Sequence, residues 1–114
     1  MSPAKAIASV QVRDAAPLFA ALGDETRLQL IVRLSSGGPG SIARLSKKSR
    51  VSRQAITKHL EVLAEAGLVR GHRRGREHIW QMEPKRLTDA HDYLDRIARQ
   101  WDAALDRLKS FVEG

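Results

Sequence analysis

Cysteine is absent from the chain, which removes disulfides, thiolate metal ligands and thiol nucleophiles together. Aromatic residues make up only 4%, so the core has to be built mostly from Leu, Ile, Val and Ala. No stretch approaches the roughly 18 uncharged apolar residues of a transmembrane helix, and Met1 to Val12 holds no apolar run long enough for a signal peptide. These absences are compatible with a cytoplasmic location and with no membrane partner. A different absence is more informative: no Asp or Glu stands between Arg27 and Leu60.

What remains is a chain of 114 residues, 42% of them apolar, with a net charge of +7. That length fits one domain with a modest core. It carries no paired carboxylates in a plausible cleft, no Ser/His/Asp arrangement and no phosphate loop, so an enzyme is not expected. The positive charge is localised. Residues Arg27 to Arg76 hold 12 Lys or Arg against Glu61 and Glu65, a balance of +10, while the rest of the chain sums to −3. A concentrated basic segment is the electrostatic footprint expected of a protein that meets a polyanion.

The apolar pattern gives the order of elements. Residues 1–12 read as a flexible N-terminal arm, and Asp14 to Leu22 as a short helix ended by Gly23. Asp24 stands as an N-cap ahead of Leu28, Leu30, Ile31 and Leu34, and a Ser/Gly/Pro run over 35–40 stops that helix. Ser41 caps a helix of about two turns with Ile42, Ala43 and Leu45. After a turn at 49–51, Ser52 caps a helix over 52–66. Its apolar positions Ala55, Ile56, Leu60, Leu63 and Ala64 form one stripe, and Gly67 closes it. Residues 68–82 read as a two-stranded β-hairpin with a basic tip, Gly75 supplying a turn residue of positive φ. Pro84 opens a long helix over 85–112, about 40 Å at 1.5 Å per residue. Leu87, Leu94, Trp101 and Leu108 recur every seven residues along it, with Ala90, Ile97, Ala104 and Phe111 three later. So long a stripe exceeds what a small domain can cover, and a partner helix is the economical explanation.

A short helix, a turn, an amphipathic helix and a basic hairpin, in that order, make the layout of a winged helix-turn-helix. The fold expected is mainly α, with about five helices and a two-stranded wing. The domain spans 13–83, and the C-terminal helix 84–114 packs on it and dimerises. With Ile56, Leu60 and Leu63 in the core, Arg53, Gln54, Thr57 and Lys58 form the outer face offered to base edges. Arg53 suits guanine O6 and N7, Gln54 suits adenine N6 and N7, and the N-terminus at Ser52 favours a phosphate. Lys47, Lys48 and Arg50 precede the helix and suit phosphates. Arg73, Arg74 and Arg76 at the hairpin tip suit the backbone or a minor groove. A solvated basic face and a soluble turn are the bland alternatives for each feature taken alone.

The string Val51-Ser52-Arg53-Gln54-Ala55-Ile56-Thr57-Lys58-His59-Leu60, followed by Leu63 and Ala66-Gly67-Leu68-Val69, resembles the core signature of the ArsR/SmtB family of bacterial repressors. Leu18 to Leu28 resembles that family's opening segment, and Gly75-Arg76 with Trp80 its wing. Arg50 stands where many members have Gly and Ser46 where many have Ala. The resemblance implies a homodimeric winged helix formed through the first and last helices, Leu87, Leu94, Ile97, Trp101, Ala104 and Leu108 lining the contact. It also implies repression by binding double-stranded DNA at a roughly palindromic operator. At His59 it implies a place on the recognition helix with a possible phosphate contact, beside the plainer alternative of a half-buried residue bonding locally.

The family's metal sites are not complete here. The thiolate site needs cysteines, and Ile42 to Ser49 has none. The last-helix site begins well with Asp89 and His91, but Asp102 follows and Leu105 stands where the final ligand belongs. No metal and no cofactor is therefore expected, and an unknown small-molecule inducer stays open. His72 and His78 read as wing surface, and Trp80 as packing under the wing. The competing function is a binding module that is not a repressor, such as a toxin–antitoxin partner or a protein-interaction winged helix. Substitution of Arg53 and Gln54 separates the two.

Overall fold

The computed structural model describes the backbone of residues 3–47 and 49–114 and the side chains of 12–47 and 49–114. Helix α1 runs Pro3–Leu22. The segment read as an arm over 1–12 is thus helical from Pro3 onward, and the first helix does not start at Asp14. Pro17 lies inside it. Its ring removes one i→i−4 hydrogen bond, which makes the segment look in sequence like a helix beginning just ahead of the proline.

Three side chains read as caps act as caps. Asp24 Oδ2 accepts from the Arg27 N–H at 3.0 Å and opens α2, Glu25–Gly37. Ser41 Oγ accepts from the Arg44 N–H at 3.2 Å and opens α3, Ile42–Leu45. Ser52 Oγ accepts from the Ala55 N–H at 3.1 Å and opens α4, Arg53–Glu65. Each satisfies a backbone donor that a helix start otherwise leaves without a partner. Gly67 follows α4 with φ +79°, a left-handed conformation that costs an L side chain about 1 kcal/mol or more.

The wing is larger than a hairpin. Strands Val69–Arg74 and Glu77–Met82 pair antiparallel from Val69↔Met82 to Arg74↔Glu77, joined through Gly75 at φ +64°. A third strand, Gly40–Ser41, adds to the free edge with Gly40↔Trp80 and Ser41↔Ile79. In chain order the strands are β1 (Gly40–Ser41), β2 (Val69–Arg74) and β3 (Glu77–Met82), lying in the sheet as β1-β3-β2. Two residues are too few to show the period-2 alternation that marks a strand in sequence. Helix α5 closes the chain at Pro84–Glu113. No described helix is long and apolar enough to cross a membrane.

One core joins these elements. Leu18 and Ala21 of α1, Leu30, Ile31 and Leu34 of α2, Leu45 of α3, Ile56, Leu60 and Leu63 of α4, Leu68, and Val69 and Trp80 of the sheet are buried together. Each fully buried Leu or Ile contributes about 2 kcal/mol of transfer free energy. Leu28 does not join them; it lies on the exposed side of α2 beside Val32.

Helix α5 enters this core only by its first turns. Ala90 is buried and Leu87 packs against the cluster. Tyr93 meets Phe19 of α1 with ring centroids 5.7 Å apart. Arg86 fastens the junction: Nη1 donates to Asp14 Oδ2 at 2.8 Å and to Asp89 Oδ2 at 3.1 Å, Nη2 to the Asp14 carbonyl at 3.1 Å, and Nε to the Ala66 carbonyl at 3.3 Å. Its guanidinium is held charged even more firmly than usual, first by the bond to Asp14. From Leu94 onward the large apolar side chains of α5 are exposed, and the molecule measures 66 × 31 × 20 Å.

Candidate nucleic-acid interface

Helix α4 is divided lengthwise. Ile56, Leu60 and Leu63 sink into the core, while Ser52, Arg53, Gln54 and Lys58 are exposed and Thr57 is half-buried. The buried stripe turns the polar side of the helix outward, without setting its fine rotation about the axis. Thr57 Oγ1 donates to the Arg53 carbonyl at 2.9 Å, so the hydroxyl's remaining capacity on the outside is as an acceptor.

The wing is anchored to the same core through Leu68, Val69 and Trp80. Its tip residues Arg73, Arg74 and Arg76 are all exposed. His78 is exposed on the wing, as expected, and stacks on Trp80 with centroids 4.4 Å apart and planes at 25°. Gly71 pairs with Trp80, and a Cβ there would meet Trp80 Cε3 at 3.1 Å and strike the His78 ring. His72 is exposed.

The basic segment splits into cations used inside the fold and cations left outside. Arg44 donates to the carbonyls of Pro39 at 2.7 Å and Gly37 at 2.8 Å, tying the loop after α2. Arg33 donates to the Leu45 carbonyl at 2.6 Å and the Lys47 carbonyl at 3.4 Å, holding the end of α3. Arg27 Nε donates to the Ala21 carbonyl at 2.6 Å. Arg70 faces Glu83 at 3.7 Å. By contrast, the exposed side chains of Lys47, Arg50, Arg53, Lys58, Arg73, Arg74 and Arg76 show no acidic partner among the described residues. Unpaired cations on a turn, a helix start and a hairpin tip are what phosphate contact requires. Lys48, expected with them, lies outside the described residues.

His59 departs from the expected set. Its Nδ1 lies 3.2 Å from Arg27 Nη1 and 3.8 Å from Asp24 Oδ2, with 23% of the side chain exposed. It therefore bonds toward α2, inside the domain, and the structure does not bring it to the outer face with Arg53, Gln54 and Lys58. Sequence alone shows His59 as one more polar residue on a basic helix; the signal available was its place about 140° round the helix from Gln54 at 100° per residue.

Of the residues considered for a metal, Asp89 and His91 have neighbours on their own helix. Asp89 accepts from Arg86, and His91 Nδ1 lies 3.5 Å from Asp92 Oδ1. Among the described residues no three His, Asp or Glu side chains converge as a metal site. On α5 the stripe expected at a dimer contact is exposed: Leu94 53%, Ile97 45%, Trp101 65% and Leu108 59%. Ala104 is half-buried. Leu87, expected there too, is half-buried and packs against the core of its own protomer, in the turns that Arg86 fastens.

Comparison with known proteins agrees with this geometry. Residues 22–72 match a family model described as a helix-turn-helix domain. The chain is 36% identical over 93 residues to the HTH-type transcriptional regulator Rv2034 of Mycobacterium tuberculosis, covering 82% of this chain and 83% of that one. Among solved structures, an ArsR-like transcriptional regulator from Rhodococcus sp. RHA1 is 36% identical, with TM-score 0.75 over 88% of this chain and 93% of that one. The homodimeric winged helix-turn-helix DNA-binding domain Mb0332 of Mycobacterium bovis shares the fold at 22% identity, TM-score 0.58, over 96% of this chain and 93% of that one.

Proposed function

This chain belongs to the ArsR/SmtB family of winged helix-turn-helix transcriptional regulators, and we propose that it acts as a homodimeric repressor that lays α4 in the major groove of a roughly palindromic operator. The observation that carries this reading is the split of α4: a buried apolar stripe on one side, and on the other Arg53, Gln54 and Lys58, exposed and with no acidic partner among the described residues. Arg53 and Gln54 read guanine and adenine edges. Ser52, Lys47 and Lys48 take phosphates before the helix, Thr57 accepts at the groove, and Arg73, Arg74 and Arg76 grip the backbone or the minor groove beside it.

The dimer forms along the outer part of α5. Leu94, Ile97, Trp101 and Leu108 form an exposed apolar stripe running off the domain, and an unpartnered stripe of that kind marks a contact with another protein surface. The homodimeric Mycobacterium bovis domain supports the same assembly. Two-fold symmetry presents two equal reading helices, which is why the operator is taken as palindromic. Such a protein works in the cytoplasm, where its operator lies.

An electrophoretic shift assay on the DNA upstream of the protein's own gene tests the proposal. A discrete complex is expected, with affinity falling by about 10³-fold or more between roughly 50 and 200 mM salt. Equal affinity for every duplex at physiological salt would remove specific repression.

A further inference from the structure

We infer that His59 is a positioning residue of the recognition helix, acting through its Nδ1 on Arg27 rather than through a DNA contact. The inference rests on the proposed reading role of α4 and names what sets that helix's orientation.

Three elements meet at this point. Arg27 donates through Nε to the Ala21 carbonyl in the last turn of α1 at 2.6 Å, while its Nη1 lies 3.2 Å from His59 Nδ1 on α4. Asp24, the cap of α2, takes the Arg27 N–H at 3.0 Å on the same Oδ2 that stands 3.8 Å from His59 Nδ1. An arginine nitrogen always donates. For the contact to be a hydrogen bond, His59 Nδ1 must therefore accept, which puts the ring proton on Nε2. The Asp24 carboxyl is held below the usual carboxylate range, first by the Arg27 backbone N–H and then by the charge of Arg27, and its bond to that N–H fixes the start of α2, from which Arg27 reaches His59.

The consequence is geometric. The apolar stripe of α4 fixes its burial but offers nothing directional, since apolar contacts tolerate small sliding and rotation. The Arg27 fork is directional. It ties the middle of α4 to the end of α1 and the start of α2, on the side of α4 away from Gln54 and Thr57. A small rotation of α4 misplaces Arg53 and Gln54 together, because bidentate base contacts need both atoms aligned.

The test uses two replacements that imitate different ring nitrogens. Asn places its carbonyl oxygen near the position of Nδ1, and Gln reaches the position of Nε2. Operator affinity is measured by fluorescence anisotropy across a salt series for the wild type, His59→Asn and His59→Gln. His59→Asn is expected to stay within about threefold of wild type, and His59→Gln to lose about tenfold, the worth of one hydrogen bond to a charged donor. The slope of log affinity against log salt is expected to be the same for all three. Rescue by Gln and not by Asn, equal loss in both, or a slope reduced by about one for each lost phosphate contact would overturn the inference. Should His59→Gln fail to fold, Arg27→Lys serves instead: it keeps the charge, removes the fork, and is expected to lose about tenfold with slope unchanged. Wild-type affinity in that variant would overturn the inference as well. A wild-type protein that binds no duplex would overturn both this inference and the reading role of α4. Steep, specific wild-type binding with the wrong variant pattern would overturn the positioning role alone.

Discussion

Replacing Arg53 and Gln54 together with alanine is expected to lower operator affinity by about 10²-fold or more while leaving non-specific DNA binding nearly unchanged. A bidentate side chain–base pair discriminates by about 1–3 kcal/mol, and two of them lost together account for the drop. Both side chains are exposed on the first turn of α4 and contribute nothing to the core, so the melting temperature should move little; exposed substitutions usually change stability by about 0.5 kcal/mol or less. The phosphate-facing cations stay in place, which preserves the sequence-independent part of binding. Competition titration with operator and random duplex, alongside a thermal melt, reads all three quantities. Unchanged operator affinity would mean that α4 is not the reader, and would favour a protein-interaction role for this winged helix.

Converting Leu94 and Trp101 to aspartate is expected to yield a folded monomer with operator affinity reduced by about 10²–10⁴-fold, the gain normally supplied by linking two binding modules. Both positions are more than half exposed in the single protomer, at 53% and 65%, so the charges are solvated in the monomer and become costly only when an interface would bury them. Sedimentation at micromolar concentration separates the two species. Trp101 also provides an optical reading: Trp80 is buried in the core at 4% exposure, so a red shift of the wild-type emission on dilution belongs to Trp101 leaving the dimer contact. A wild-type protein that sediments as a 12.7 kDa monomer would contradict the assembly.

How legible the fold was depended on the range of the interactions. The caps at Asp24, Ser41 and Ser52 act on N–H groups three residues away, and the turn at Gly75 depends on its own φ; such features are written locally. The stripe of α4 is local too, and Ile56, Leu60 and Leu63 are buried as its spacing requires. What escaped depends on partners distant in the chain. Strand β1 exists because Gly40 and Ser41 find Trp80 and Ile79, and nothing near residue 40 announces that pairing. The extension of α1 back to Pro3 was masked by Pro17.

The interface shows the same division in its chemistry. Composition correctly placed the positive charge within 27–76 but treated all of it as one footprint. In the structure Arg27, Arg33 and Arg44 bond to carbonyls of neighbouring elements, and these three hold the elements that present the others, while Arg70, itself exposed, faces Glu83 at 3.7 Å. His59 moved in the same direction, from the outer face to the junction with α2. On α5, a uniform heptad stripe became two zones: Leu87 and Ala90 pack on the protomer's own core, and the large apolar residues from Leu94 onward are exposed. A repeat in sequence does not show where the domain ends beneath it.

The central claim is that two copies of α4 read one operator from adjacent turns of the major groove. Hydroxyl-radical footprinting of the wild-type protein on its own upstream DNA tests this most directly. Two protected half-sites are expected, with centres about 34–36 Å apart or a multiple of that spacing, and both should disappear together in the Leu94→Asp/Trp101→Asp protein at the same concentration. A single protected half-site, or protection that spreads evenly along the duplex, would contradict the account.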